Sequence, residues 1–176
     1  MARTLHLALA YRRPRRAVPG MHLLDASVTR MRVVPTDLDI YLHVNNGAYL
    51  QMMDVARTNY LADLGAFGPL GERGWYPVVA ASTMTYRRSL TLGERFEITT
   101  RVLGWDERVV YIEQLFARGG DHVARGWVAG RFLARSGERI PAPEVSRAID
   151  PDAASPVLPD EVAAWARSVD VAHRSV

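Results

Sequence analysis

Asp37, Asp39, His43, Asn45 and Asn46 place two carboxylates, an imidazole and two carboxamides within ten residues. A carboxylate or an imidazole can take a proton from water, and a short polar loop can aim either one. The residues that follow read as a helix. Apolar or aromatic side chains recur at Tyr49, Met52, Met53, Ala56 and Tyr60, the spacing of one helical face, while Gln51, Asp54, Arg57 and Thr58 fall mainly on the other side. Asn45 or Asn46 can cap this helix by accepting a free backbone N–H of the first turn. Gly65 after Leu64 is a C-terminal stop. The pattern therefore predicts a helix from about Asn46 to Leu64 with acids just ahead of its N-terminus, where backbone donors and the helix dipole favour negative charge.

The 176-residue chain suggests one domain, large enough to bury a core without staples. It contains no Cys, which excludes disulfides, thiolate metal sites and cysteine nucleophiles. Its five histidines, His6, His22, His43, His122 and His173, show no metal-ligand spacing. All 22 basic residues are Arg, and five of them lie in residues 1–20, which contain no acid. The remainder carries 17 Arg against 19 acidic residues, so the formal charge of +3 belongs to this arm. The arm, residues 1–27, shows no strong period and reads as a solvated tail. Arg12, Arg13, Arg15 and Arg16 leave phosphate or anionic-surface contact, or a targeting peptide, as competing readings. No apolar run approaches the ~20 residues that a membrane span needs. A soluble cytoplasmic protein with no nucleic-acid partner is the expectation.

Strand patterns follow the helix. Ser27–Val34 alternates. Residues 66–77 read as loop, and Val78–Ser89 is dense in Val, Thr and Tyr. Arg95–Leu103, Val109–Arg118 and His122–Ala134 are further strands, joined by turns at Gly104–Glu107 and Gly119-Gly120. One face of the last strand reads Ala124, Gly126, Val128, Gly130, Phe132, small enough for a curved sheet to close over the Tyr49–Tyr60 helix. Residues 141–159 look like a Pro-rich linker, and 160–169 like a short peripheral helix with Val162 and Trp165 inward. The expected fold is α+β: a curved antiparallel sheet of about five strands around one long helix, spanning 28–140, with the arm before it and the linker and helix of 141–176 after it. Such a sheet leaves edge strands open, and a homodimer or a dimer of dimers would cover them.

The order of elements and the run Asp37, Asp39, His43, Asn45, Asn46, Tyr49, Leu50 resemble the hot-dog fold thioesterases, the superfamily of 4-hydroxybenzoyl-CoA and acyl-CoA thioesterases. The likeness extends to Tyr86–Leu90, Gly104–Asp106, Glu113-Gln114 and the glycine-bearing last strand, and covers about 28–135. It implies hydrolysis of an acyl-CoA or acyl-carrier-protein thioester, with coenzyme A entering as part of the substrate and no separate cofactor or metal. By its match to the family motif Asp39 is the candidate catalytic carboxylate, as base or nucleophile, with loop bracing as the alternative, and His43 orients it, contacts the carbonyl or only braces the loop. Backbone N–H groups near Asn46, Gly47 and Ala48 would polarise the carbonyl, since a thioester needs charge stabilisation more than leaving-group acid.

Asn45 and Asn46 can also serve only as cap and loop brace, and Asp37 reads as structural, paired with Arg or backbone. Tyr49, Met52 and Met53 are core or acyl-pocket lining. Arg87 and Arg88 can meet coenzyme A phosphates or pair with acids such as Glu97 or Glu113, and Glu113 is a possible second carboxylate. Leu42 stands where the family has Gly, so the loop is expected not to enter the left-handed region freely there. Tyr41 departs from the Asn of plant acyl-ACP thioesterases. A non-catalytic acyl-binding protein is the main rival. An enoyl hydratase is disfavoured by the resemblance, since hydratases of this fold carry Asp and His five apart with a Pro between them, whereas Asp39 and His43 are four apart with none.

Overall fold

Hydrophobic alternation gives the sheet and one apolar stripe gives the helix inside it. In the structure, a computed structural model describing residues 2–172, the elements run α1 (Ala2–Arg12), β1 (Ser27–Arg32), a single 3₁₀ turn (Pro35–Asp37), α2 (Asn46–Asp63), α3 (Phe67–Glu72), β2 (Trp75–Tyr86), β3 (Arg95–Trp105), β4 (Val110–Arg118), β5 (Asp121–Ala134), β6 (Arg139–Ile140), α4 (Ala142–Ile149) and α5 (Asp160–Ser168). His173 lies outside the described residues. The strands form one antiparallel sheet in the order β1-β3-β4-β5-β2, with β6 pairing β5 beyond the end of β4.

The sheet wraps α2, the helix expected from the Tyr49–Tyr60 stripe. Met52, Met53, Val55 and Ala56 are fully buried against Ile98, Phe116 and Val128. At Gly126 the Met53 side chain of α2 and the Met84 side chain of β2 fill the space a side chain would need: a β-carbon there would stand 2.5 Å from Cε of Met53 and 2.7 Å from Sδ of Met84. In β1 the face carrying Ser27, Thr29 and Met31 is buried, and Val28, Arg30 and Arg32 are exposed.

Three stretches read as irregular are helical. The arm begins as α1, which packs on α2 through Leu7 and Ala10 and is anchored by the buried Arg3. Its apolar residues show no clear period in sequence because Leu5 and Leu9 are exposed while Leu7 and Ala10 pack inward. Arg12, Arg13, Arg15 and Arg16, beyond that anchor, are exposed, and Arg15 reaches Asp63 at 3.4 Å. In 66–77, α3 buries Leu70 despite its glycines. In 141–159, α4 starts at Pro141 and Pro143, where missing N–H groups cost nothing, and buries Val145. Among the described residues no helix is long and apolar enough to cross a membrane.

Candidate active site

The acidic loop is a small hairpin held from three directions. Leu38 pairs with Val44 and His43 with Thr91, while the amide of Val44 donates to the carbonyl of Leu90 at 2.9 Å. Asp39 N–H donates to His43 O at 2.9 Å, and Leu42 N–H returns to Asp39 O at 3.1 Å, closing the turn. The turn requires a left-handed residue, and Leu42 takes that role at φ 61°. The loop thus adopts the conformation that Leu42 was expected to resist, at a steric cost of about 1–2 kcal/mol.

Asp37 and Asp39 divide the work. Asp37 is buried: Arg3 Nε donates to its Oδ1 at 2.8 Å, Arg3 Nη2 to its Oδ2 at 2.6 Å, and Val34 N–H to Oδ2 at 2.9 Å. Its carbonyl accepts from Asn45 N–H at 2.8 Å, so this ion pair locates the residue that caps α2. Asp39 is half-buried. Its Oδ1 accepts from the amides of Tyr41 at 2.8 Å and His43 at 3.4 Å, and its Oδ2 has no protein partner among the described residues. No Arg among the described residues pairs with it.

At the start of α2, Asn45 Oδ1 accepts from Gly47 N–H at 2.8 Å, and Asn45 O accepts from Ala48 at 2.9 Å. Gly47 and Ala48 are therefore occupied, and the amide of Asn46 is the one in that turn without a partner among the described residues. His43, Asn45, Asn46 and Gly47 are exposed beside it. Tyr49 belongs to the core, edge-on to Tyr86 at 5.1 Å and Phe116 at 5.2 Å, and burial pushes its hydroxyl's pKa up.

Arg87 and Arg88 make no hydrogen bond or ion pair with this loop among the described residues. Arg88 pairs with Asp121. Arg87 borders a cavity of about 260 Å³ shared with Arg101, Glu113, His122 and Arg125. Glu113 pairs with Arg101 at 2.7 Å and lies 4.0 Å from Arg125, so it meets neither Arg87 nor Arg88.

A larger cavity, about 340 Å³, opens farther along α2. Its wall is apolar, with Val78, Val102, Val128 and Phe132 among its lining, and neither Asp39 nor His43 borders it. Two charged side chains that the sequence placed only on the helix's far flank, Asp54 and Arg57, do. They pair with each other, and Arg57 Nη1 donates to Gln114 Oε1 at 2.7 Å. Gln114 is fully buried, donating to Met53 O at 3.0 Å and Thr100 Oγ1 at 3.1 Å. Burial raises the Asp54 pKa against the pull of Arg57, and lowers that of Arg57 against the pull of Asp54. Charge at i and i+3 was visible in the sequence, but whether that flank faced water or a cavity was not.

An antiparallel sheet curved around one buried helix, with a carboxylate hairpin at the helix's N-terminus, is the hot-dog architecture. The solved gentisyl-coenzyme A thioesterase has it with a TM-score of 0.63 and 21% identity, over 69% of this chain and 99% of that one. The sequence pattern of the thioesterase-like superfamily matches residues 33–166, and the chain belongs to that family. Among its relatives are Protein THEM6 of Xenopus laevis, 35% identical over 78% of this chain, and Protein THEM6 of Danio rerio, 38% identical over 66%. The chain spans 66% and 56% of their respective lengths.

Proposed function

We propose that this protein hydrolyses acyl-CoA thioesters, with Asp39 activating water or attacking the carbonyl and the amide of Asn46 receiving the carbonyl oxygen. The observation that carries this reading is the division of the Asp39 carboxylate: backbone amides hold Oδ1, and Oδ2 has no protein partner among the described residues. Two amides fix the side chain without neutralising it, as a general base requires. His43 adjoins it and would orient water or the carbonyl. Family membership and the likeness to the gentisyl-coenzyme A thioesterase support a coenzyme A thioester as substrate. An acyl-carrier protein supplies the same chemistry through its own thioester, and comparing the two carriers decides between them.

The working unit in this reading is a homodimer. Ile40, Tyr41 and Leu42 are 87%, 73% and 70% exposed at the hairpin tip, and β2, an edge strand of 12 residues, has no fully buried side chain. A second copy would cover such surfaces and enclose the mouth of α2. Thiol release from a panel of acyl-CoA substrates, compared with Asp39→Asn, tests the proposal.

One observation favours a second reading, an acyl-binding protein without hydrolysis: the apolar cavity is bordered by Asp54 and Arg57, not by Asp39. Binding of an alkyl thioether of coenzyme A with no thiol release from any thioester would select it. Hydrolysis that survives Asp39→Asn but fails with Asp54→Asn would move the base to the cavity.

A further inference from the structure

Helix α1 precedes residues 33–166, the part of the chain that matches the family. It contributes to both features of the site. Arg3 makes the bidentate bond to Asp37, and its Nη2 also donates to Arg32 O at 2.7 Å. Leu7 and Tyr11 border the 340 Å³ cavity. These three residues are spaced i, i+4, i+8, one stripe of a helix, about 12 Å from first to last. The stripe starts with an anchor and continues as cavity wall. At its far end Tyr11 is braced edge-on against Phe67 of α3, ring centroids 5.4 Å apart.

We propose that α1 sets which acyl groups the cavity accepts, with Leu7 and Tyr11 as specificity-determining side chains for apolar acyl chains and the Arg3–Asp37 pair fixing their register. The substrate class rests on the thioesterase reading above. The role of the wall rests on the cavity. Its size falls at the lower end of the range for small-molecule sites, about 300–1,000 Å³. In a space this small, one aliphatic side chain decides what fits. The bidentate bond at Arg3 stops α1 from sliding or rotating, so Leu7 meets the cavity at one depth. A chain that reaches Leu7 has to stop there.

The test uses octyl, dodecyl and hexadecyl thioethers of coenzyme A, which bind but cannot be hydrolysed, with the full chain and with Leu7→Ala, Leu7→Phe and Tyr11→Ala. Circular dichroism and melting temperature check that each variant folds. Leu7→Ala and Tyr11→Ala are expected to move the ratio of dissociation constants toward the longer chains by about tenfold, the worth of one or two buried methylenes. Leu7→Phe is expected to move it toward the shorter ones. A mere loss of stability would not shift the ratio in opposite directions. Length ratios unchanged in folded variants, or no alkyl binding by the parent protein, would overturn the proposal. Hydrolysis of the matching thioesters is measured alongside. Ligand binding with the length shift but without hydrolysis upholds the wall and removes the hydrolase reading, and hydrolysis with no length shift does the reverse.

Discussion

Gly126 faces Met53 so closely that a β-carbon would overlap the methionine's thioether methyl, at 2.5 Å. Here the sheet is curved onto α2, and the absence of a side chain is what allows it. The atoms in the way are the ends of two flexible side chains, Met53 and Met84, so a methyl group is absorbed by bending them. Gly126→Ala should cost about 1 kcal/mol and Gly126→Val about 3 kcal/mol. Urea unfolding of the two variants measures this, and a Val variant as stable as the parent would show that the contact is loose.

Leu42 occupies the left-handed position of the site hairpin with its side chain in water. Gly there removes about 1–2 kcal/mol of steric cost and adds about 0.5–1 kcal/mol of chain entropy. Leu42→Gly should therefore raise the urea midpoint slightly, by the equivalent of about 0.5 kcal/mol. Leu42→Val, β-branched at the same φ, should lower it. A lower midpoint for Gly would mean that the exposed leucine is packed on something the single chain lacks, as a dimer would provide.

Arg3→Ala leaves the Asp37 carboxylate buried without its partner and should cost about 3 kcal/mol. Because Asp37 O holds the amide of Asn45, the loss should also loosen the site hairpin. Hydrogen exchange at residues 38–47 checks this. Exchange equal to that of the parent would show that the hairpin needs no anchor from α1.

Asp150 follows α4 and ties the N-terminal segment to it. Its Oδ2 accepts from Leu23 N–H at 2.9 Å and lies 3.3 Å from His22 Nδ1. The Leu23 amide chiefly, with His22 assisting against the opposing effect of burial, lowers its pKa below the ordinary carboxylate value. A depressed folded pKa means that the unfolded chain binds the proton more readily. The stabilisation is complete above about pH 4, the unfolded value, and is lost as pH falls through the folded value. Asp150→Asn should flatten the acid limb of a melting-temperature profile, and an unchanged limb would place the acid sensitivity elsewhere.

The fold was legible where side chains repeat with a clear period. The Tyr49–Tyr60 stripe gave α2 to within a residue at its start, and the alternation of Phe96, Ile98, Thr100 and Val102 gave β3. Ala124–Phe132, with its two glycines, marked a strand face with room for a helix side chain, and Met53 takes that room at Gly126. What stayed hidden depends on contacts distant in sequence. Arg3 is 34 residues from Asp37, and nothing local marks it as buried. α3 and α4 are short, rich in Gly or Pro, and stabilised by the one or two apolar residues each buries. In the site, the polar hairpin was readable because its residues are adjacent in sequence. The cavity was not, because its wall draws on α1, α4 and the four long strands β2 to β5 as well as α2, and Asp54 and Arg57 look like any solvated helix flank.

The central claim is that the open oxygen of Asp39 drives thioester cleavage, and its most direct measurement is thiol release from acyl-CoA substrates by the parent protein and by Asp39→Asn, an isosteric change that keeps an acceptor for the Tyr41 amide. The account predicts a fall in kcat of about 10²–10³-fold with KM little changed. Equal rates for the two proteins would contradict it.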